Sequence, residues 1–180
     1  MGRQQNGPGA SREQALNLLF ENGCSKKVVN HCKAVSKLAL ETANILKEKG
    51  LKVDSKLVEI GALLHDIGRS KTHTVHHAVV GAEIARAAGL PGSVVSIIER
   101  HVGGGITAIE AHALGWSEGV YAPVSLEEKI VSYADKLIEK GKRVPIDMTI
   151  EKLCEKHLYE AAERVQSIHE EIAGLIGDCP

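Results

Sequence analysis

The stretch LVEIGALLHDIG at residues 57–68 decides the fold. Its apolar residues recur at helical spacing, and a histidine and an aspartate, His65 and Asp66, follow within the same apolar run. Asp54 suits the N-cap before this run, and Gly68 suits its end. The stretch therefore predicts a helix from about residue 55 to Ile67, which brings two ionisable side chains into an apolar setting where each needs a partner.

Helical signals continue on both sides of this stretch. Ser11 with Gln14, and Ser125 with Glu128, have the spacing of capping boxes, and glycines follow most of the apolar stripes. No segment alternates as a strand would, so the sequence predicts an all-α helical bundle. The predicted helices cover residues 12–21, 26–49, 55–67, 75–88, 91–102, 108–114 and 126–140, with residues 150–175 forming one long helix or two joined near His157.

Length and composition limit the function classes. The 180 residues are 43% apolar and 25% charged, which fits one globular domain over residues 11–180 behind a disordered tail at residues 1–10. The formal net charge is −1, and only 3% of the residues are aromatic. This balance gives no overall attraction to phosphates and little material for base stacking, so a nucleic-acid partner is not expected.

The sequence shows no membrane or secretion signal. No apolar run approaches the roughly 18 residues of a spanning helix, and the polar start lacks the apolar region of a signal peptide. We therefore expect a cytoplasmic protein without a membrane partner. The four cysteines form no C-x-x-C pair, so we expect them to be reduced, with Cys32 as a small core residue.

Four of the nine histidines fall on apolar helix faces. His31 lies three residues after Val28 and four before Val35, and His65 follows the apolar stripe of residues 57–64. His77 aligns with the apolar positions of its own helix, whereas its neighbour His76 does not. His101 follows Val94, Ile97 and Ile98 at helical spacing. His31, His65, His77 and His101 are therefore predicted to face the core.

Two carboxylates join this set. Asp66 follows His65, and Asp135 lies four residues after Val131 and three before Ile138. Imidazole and carboxylate ligands that converge from several helices form transition-metal sites in bundles, with Mn, Fe, Co, Ni and Zn as candidates. Taken singly, each histidine is more often a hydrogen-bonded core residue, so periodicity alone leaves a metal site and a scattered polar core as alternatives.

The order and placement of His31, His65-Asp66 and Asp135 resemble the HD superfamily of metal-dependent phosphohydrolases. The resemblance covers about residues 28–142, with residues 150–176 as a C-terminal helical extension. His77 and Arg100-His101 resemble the extra ligand segments of the six-ligand, two-metal subgroup, which includes a bacterial dinucleoside tetraphosphate hydrolase. The whole chain resembles small stand-alone archaeal proteins of the HDIG type.

This resemblance implies a ligand set and a reaction. His31, His65, Asp66 and Asp135 would bind one divalent metal ion, and His77 and His101 would complete a second site with Asp66 as the bridge. Many two-metal relatives have a lysine three residues after the aspartate, where this chain has Arg69 and, two residues further, Lys71. Arg69, and with less support Lys71, would hold a phosphate, and Arg grips it in a bidentate way that Lys cannot.

The expected activity is hydrolysis of a nucleotide or other small phosphate ester by metal-activated hydroxide, with one or two metal ions per chain. Three alternatives stay open at this point: a di-iron oxygenase with the same ligands, a non-catalytic nucleotide sensor, and a purely structural bundle. The sequence also leaves open whether the C-terminal helix forms a homodimer.

Overall fold

The computed structural model describes residues 10–177, and within them the protein folds as an all-α bundle with one small hairpin. This confirms the predicted fold class. Residues 1–9 of the predicted tail at residues 1–10 lie outside the described residues, as does Cys179. The helices are α1 (Arg12–Glu21), α2 (Lys26–Glu48), α3 (Ser55–Leu64), α4 (His77–Ala87), α5 (Gly92–Arg100), α6 (Ala108–Ala113), α7 (Leu126–Lys136), α8 (Ile146–Glu155) and α9 (Tyr159–Ile176), and the strands are β1 (Ile138–Glu139) and β2 (Lys142–Arg143).

Helix α3 is shorter than predicted. It ends at Leu64 rather than Ile67, and Asp66 has left the helical conformation with φ −101° and ψ 14°. A 3₁₀ turn over Ile67–Ser70 follows. The apolar run continues through this turn because Ile67 is itself buried in the core, so periodicity could not show where the helix stops.

The two ends of α7 each correct an expectation. The predicted helix to Lys140 stops at Lys136, and residues 138–143 form an antiparallel hairpin. Lys140 and Gly141 both have positive φ, the conformation of a tight two-residue hairpin turn. The predicted capping box is half formed: Ser125 caps the helix, but the Glu128 side chain bonds elsewhere.

The C-terminal segment consists of two helices, as one of the two predicted alternatives had it. Helix α8 begins at Ile146, four residues earlier than predicted, because Pro145 stands at its N-cap. His157 lies between α8 and α9 and has a φ of 58°, which interrupts the helical conformation. None of the helices in the described residues is long and apolar enough to cross a membrane.

The core consists of two apolar clusters, and the predicted ligands lie where they meet. On α2, Cys32 belongs to one cluster and Val35 to the other. On α5, Ile98 belongs to the same cluster as Cys32, and Ile97 to the same cluster as Val35. His31 and His101 therefore leave their helices near the boundary between the clusters, where helices from both halves converge.

Candidate metal centre

Six side chains from five segments of the chain converge at this boundary. The Nε2 atom of His31 lies 2.9 Å from Oδ1 of Asp135, and that oxygen lies 3.4 Å from Nε2 of His65. Oδ1 of Asp66 lies 3.0 Å from Nε2 of His77 and 3.6 Å from Nε2 of His101. Within the described residues, two groups could each hold a metal ion, and they share one histidine: His31, His65 and Asp135; and His65, Asp66 and His101.

Glycine makes this convergence possible. A Cβ at Gly68 would lie 2.0 Å from the carbonyl oxygen of His77 and 2.6 Å from the backbone nitrogen of Gly81, so the turn after Asp66 rests directly on α4. A Cβ at Gly61 would lie 2.5 Å from Ile97, which lets α3 approach α5. Gly61 and Gly68 therefore let the backbone segments that carry the converging side chains approach each other closely.

Three of the histidines are held in the tautomer that a metal requires. Nδ1 of His65 lies 2.7 Å from the Ala62 carbonyl oxygen, and His77 and His101 make the same contact with carbonyls three residues earlier. Since a carbonyl only accepts, each Nδ1–H donates, and in the neutral ring Nε2 presents its lone pair. Such second hydrogen bonds are typical of metal-ligating histidines.

The buried acceptor atoms of the cluster lack hydrogen-bond donors among themselves, so the arrangement suits a bound cation. Nε2 of His65 and Oδ1 of Asp66 are buried, and neither makes a hydrogen bond within the described residues. Nε2 of His77 and Nε2 of His101 lie 3.1 Å apart, although both would be acceptors in the neutral rings. Buried acceptors that face one another without donors are costly, and a positive ion between them removes that cost. The donor set of imidazoles and carboxylates suits a divalent transition metal.

The carboxylates are kept ionised. Burial raises the pKa of Asp66, but the nearby His65, His101 and His77 outweigh it and hold that pKa well below its usual value. Burial also raises the pKa of Asp135, which Lys136 first and then the histidines hold well below the usual value. Both carboxylates are therefore charged and available as ligands at neutral pH.

The pKa values of two buried histidine rings shift in opposite directions. Burial lowers the pKa of His101 to about 4, so this ring is neutral at pH 7. Burial also lowers the pKa of His65, but the carboxylates of Asp66 and Asp135 together raise it above its ordinary value. His65, which lies between the two carboxylates, thus attracts positive charge more strongly than His101 does.

Asp66 occupies the centre of the cluster. Its Oδ1 faces His77 and His101, while its Oδ2 lies 3.8 Å from His65 and 3.9 Å from His31. We call His77 and His101 the sealed half, because their side chains are 4% and 2% exposed. We call His31 and Asp135 the open half, because they are 22% and 14% exposed. The cluster therefore opens to solvent on one side only.

Arg69 contacts Asp66 directly. Its Nε donates to Oδ2 of Asp66 at 2.6 Å, and its side chain is 31% exposed. Its Nη1 donates to the carbonyl oxygen of His73 at 3.5 Å, so the guanidinium is held on two sides. Lys71 is exposed and makes no ion pair within the described residues, so the structure does not bring it into the cluster.

Lys136 is a residue that the sequence analysis interprets as a solvated charge and leaves out of the site. A lysine in the last turn of a helix is ordinarily a solvated charge, but the Nζ of Lys136 lies 2.5 Å from Oδ2 of Asp135, and its side chain is only 16% exposed. Its position next to a predicted ligand was the available signal. Arg69 thus binds Oδ2 of Asp66, and Lys136 binds Oδ2 of Asp135.

The other predicted polar groups lie outside the cluster. His76, rejected in favour of His77, accepts a hydrogen bond at Nδ1 from Trp116, 2.8 Å away. Arg100, next to the ligand His101, forms a two-pronged pair with the buried Glu128, whose carboxylate also accepts from the backbone of Val124. This pair fixes the segment after α5 rather than the metal cluster.

Comparison with known proteins places the chain in a family. The model of the HD domain family matches residues 28–140, which include all six converging side chains. The chain belongs to the HD domain family. An uncharacterized protein of Methanocaldococcus jannaschii, 49% identical over 167 residues, aligns with 91% of this chain and 98% of its own length.

Two other HD relatives are about twice as long as the region they share with this chain. The tRNA (cytidine(56)-2′-O)-methyltransferases of Thermoplasma volcanium and Picrophilus torridus are 41% and 37% identical over 90% and 92% of this chain. The aligned region is only 46% and 47% of those proteins. Ribonuclease Y of Pseudothermotoga lettingae shares 29% identity over 85% of this chain and 30% of its own length.

The HD fold is also seen in solved structures. The HD domain of the Listeria monocytogenes phosphodiesterase PgpH, solved in complex with cyclic-di-AMP, superposes with a TM-score of 0.56 and 17% identity. The match covers 91% of this chain and 96% of the PgpH chain. At this identity the likeness concerns the arrangement of helices, and it agrees with the all-α architecture described above.

Proposed function

We propose that this HD protein is a metal-dependent phosphohydrolase that cleaves a phosphate ester of a nucleotide. The observation that carries the proposal is the two-sided carboxylate of Asp66, whose oxygens face two separate groups of histidines. In this proposal Asp66 bridges two divalent ions, drawn from Mn, Fe, Co, Ni and Zn. The ligands of the metal centre are His31, His65, Asp66, His77, His101 and Asp135.

Bound ions would lower the pKa of a coordinated water toward about 7 and neutralise charge on phosphoryl oxygens. The chain's own residues supply the geometry. The backbone carbonyls behind His65, His77 and His101 fix the rings with Nε2 directed into the cluster. The ionised carboxylates of Asp66 and Asp135 need no proton loss before they bind.

The phosphate would enter through the open half, between Arg69 and Lys136. Both cations are partly exposed, and each already contacts Oδ2 of one of the two aspartates. A phosphoryl group there would meet the guanidinium of Arg69 on one side and the ammonium of Lys136 on the other. The proposal therefore assigns phosphate binding to Arg69 and adds Lys136, whereas Lys71 stays a prediction from sequence alone.

The substrate panel follows from the relatives. PgpH was solved with cyclic-di-AMP, and other relatives are a tRNA methyltransferase and ribonuclease Y, so cyclic dinucleotides and RNA-derived phosphates belong beside simple nucleotides. The test is phosphate and nucleoside release with each candidate metal supplied to protein purified without oxygen. Asp66→Ala is the control, since it removes the shared ligand.

We expect turnover of at least one phosphate ester by the wild type and its loss, by about a thousandfold or more, in Asp66→Ala. A protein that binds metal stoichiometrically and hydrolyses no ester would contradict the proposal. Oxygen consumption in the presence of iron would then support the oxygenase alternative, and saturable nucleotide binding without product would support the sensor.

A further inference from the structure

One segment of the chain lies beside both histidines of the sealed half. A 3₁₀ turn over Val102–Gly104 follows His101, and the chain then continues as residues 105–124, which we call the strap. The strap carries helix α6 and the one tryptophan of the chain, Trp116. It begins four residues after His101, and Trp116 contacts His76, the residue before His77.

The two ends of the strap are joined to each other. The backbone nitrogen of Ile106 donates to the carbonyl oxygen of Tyr121 at 3.0 Å. Gly105 has a φ of 111°, and a Cβ at this position would lie 2.7 Å from Cα of Ala122. The strap is therefore a closed loop, and its two ends lie together next to the end of α5.

Charged side chains attach the second half of the strap to α5 and α7. Nε of Arg100 donates to the carbonyl oxygen of Val120 at 3.0 Å, and Nη1 of Arg100 donates to the carboxylate of Glu128. That carboxylate also accepts from the backbone nitrogen of Val124 at 2.7 Å. The strap is thus held at two backbone positions beyond Trp116.

An aromatic neighbour orients Trp116. The indole meets the ring of Tyr121 edge-on, with ring centroids 4.9 Å apart. Tyr121 is itself 6% exposed, and its hydroxyl donates to the carbonyl oxygen of Ser117 at 3.0 Å. Edge-to-face contacts of this kind have a preferred geometry. The pair therefore holds the indole with Nε1 directed at His76.

Trp116 determines the tautomer of His76. An indole N–H only donates, so Nδ1 of His76, 2.8 Å from Nε1 of Trp116, accepts, and the neutral ring carries its proton on Nε2. His77 has the opposite tautomer, because its Nδ1–H donates to the carbonyl oxygen of Thr74 at 2.7 Å. Two adjacent histidines are therefore fixed by different partners, one by the strap and the other by the turn before α4.

The turn before α4 connects these two contacts. Oγ1 of Thr74 accepts from the backbone nitrogen of His76 at 3.3 Å. The carbonyl oxygen of Thr74 accepts from the backbone nitrogen of His77 at 3.1 Å, in addition to its contact with the ring. A displacement of His76 would therefore move the carbonyl that orients the ring of His77.

We propose that Trp116 is a positioning residue of the sealed half, which acts through His76 to keep the ring of His77 directed at Asp66 and His101. Hydrogen-bonding groups behind metal ligands typically change metal affinity by about 10- to 100-fold. The strap is well placed for this role, since it is continuous with His101 at its start and contacts the residue before His77 at Trp116. This inference rests on the metal centre of the proposed function, but it does not require hydrolysis.

Metal affinity measures this role directly. The probe is Co²⁺, titrated into metal-free His31→Gln, which retains the ligands of the sealed half, and into metal-free His101→Gln, which retains those of the open half. In the first background, Trp116→Phe should weaken Co²⁺ binding at least about tenfold, and in the second by less than about twofold. Equal weakening in both backgrounds, or none in the first, would overturn the inference.

Three further variants separate the hydrogen bond from a general loosening of the strap. Tyr121→Phe removes a hydrogen bond within the strap and should leave the Co²⁺ affinity unchanged. His76→Leu removes the acceptor, so it should weaken binding as Trp116→Phe does, and the double variant should bind no more weakly than either. His76→Asn places an amide oxygen near the position of Nδ1 and should restore the affinity. If Tyr121→Phe weakens binding as much as Trp116→Phe, or if the two losses add in full, the inference fails.

A measurement without metal separates this inference from the proposed function. Nitrogen-15 NMR of the histidine rings in the metal-free protein reports which ring nitrogen carries the proton and whether that proton exchanges with water. We expect the Nδ1–H signal of His77 in the wild type and its loss in Trp116→Phe, while the signals of His65 and His101 remain. If the wild type binds no Co²⁺ but His77 responds in this way, the proposed function fails and the positioning role stands. If Co²⁺ binds and all three signals persist in Trp116→Phe, the positioning role fails alone.

Discussion

The two halves of the metal centre are built differently, although they share Asp66. In the sealed half, both rings donate Nδ1–H to a backbone carbonyl, and the carbonyl of His101 itself accepts from Ser132. In the open half, the ligands meet each other and a cation instead: His31 contacts Asp135, which contacts Lys136. Backbone fixes one half, and side chains at the solvent boundary fix the other.

This difference separates two tasks that a hydrolytic site must combine. Rings held by backbone and buried away from solvent keep a fixed geometry, which favours tight metal binding. Side chains near the surface leave space for substrate and water, but their positions are held less firmly. Under the proposed function, the sealed half would retain the metal, and the open half would admit the phosphate.

The first way to break this arrangement is Gly68→Ala, which should affect both halves. A Cβ there would lie 2.0 Å from the carbonyl oxygen of His77, and neither backbone can yield without moving Asp66 or α4. We expect a loss of about 3 kcal/mol or more in the free energy of unfolding, at the upper end for overpacking. Urea unfolding of the metal-free protein measures it.

The matched control is Gly92→Ala, because a Cβ at Gly92 meets no atom within 4 Å and the residue lies in the first turn of α5. This variant should be neutral or more stable, by up to about 1 kcal/mol. Equal stabilities for the two alanine variants would mean that the turn after Asp66 is not packed on α4 as described.

A sharper comparison is the rate at which a chelator removes metal. We expect two phases in the wild type, a fast one from the open half and a slow one from the sealed half. His31→Gln should remove the fast phase, and His101→Gln the slow one, because each removes a ligand of one half only. Stopped-flow chelation with a chromogenic dye resolves the phases, which should differ by at least about tenfold. A single phase in the wild type would contradict the division into halves.

Much of this centre could be predicted from the sequence, because helical periodicity records which face of a helix is buried. His65 and His101 follow apolar residues at helical spacing, His77 precedes its own, and the structure buries all three. His31 lies at the edge of the apolar stripe of α2, and the structure leaves it partly exposed. Periodicity therefore found the side chains that converge, without distinguishing the two halves.

The remaining features depend on contacts that periodicity does not record. The end of α3 before Asp66 follows from the packing of Gly68 on α4, a contact between segments distant in sequence. The hairpin after α7 was missed because Lys140-Gly141 is a weaker turn signal than Asn-Gly. Lys136 was missed for a related reason, since nothing in helical spacing distinguishes a lysine that pairs with a ligand from one that is solvated.

The smallest expected effect concerns Lys136 and tests whether the open half receives the phosphate. Lys136→Met removes the ammonium but keeps the length of the side chain, so we expect KM for a phosphate ester to rise about three- to tenfold. The metal of the sealed half should be retained, and Lys136→Arg should restore part of the affinity. Lys129→Met is the control, since that lysine lies on the same helix and pairs with Glu171 at the surface. If Lys136→Met lowers the metal content of the open half and leaves KM unchanged, then Lys136 only positions Asp135, and the phosphate is held by Arg69 without it.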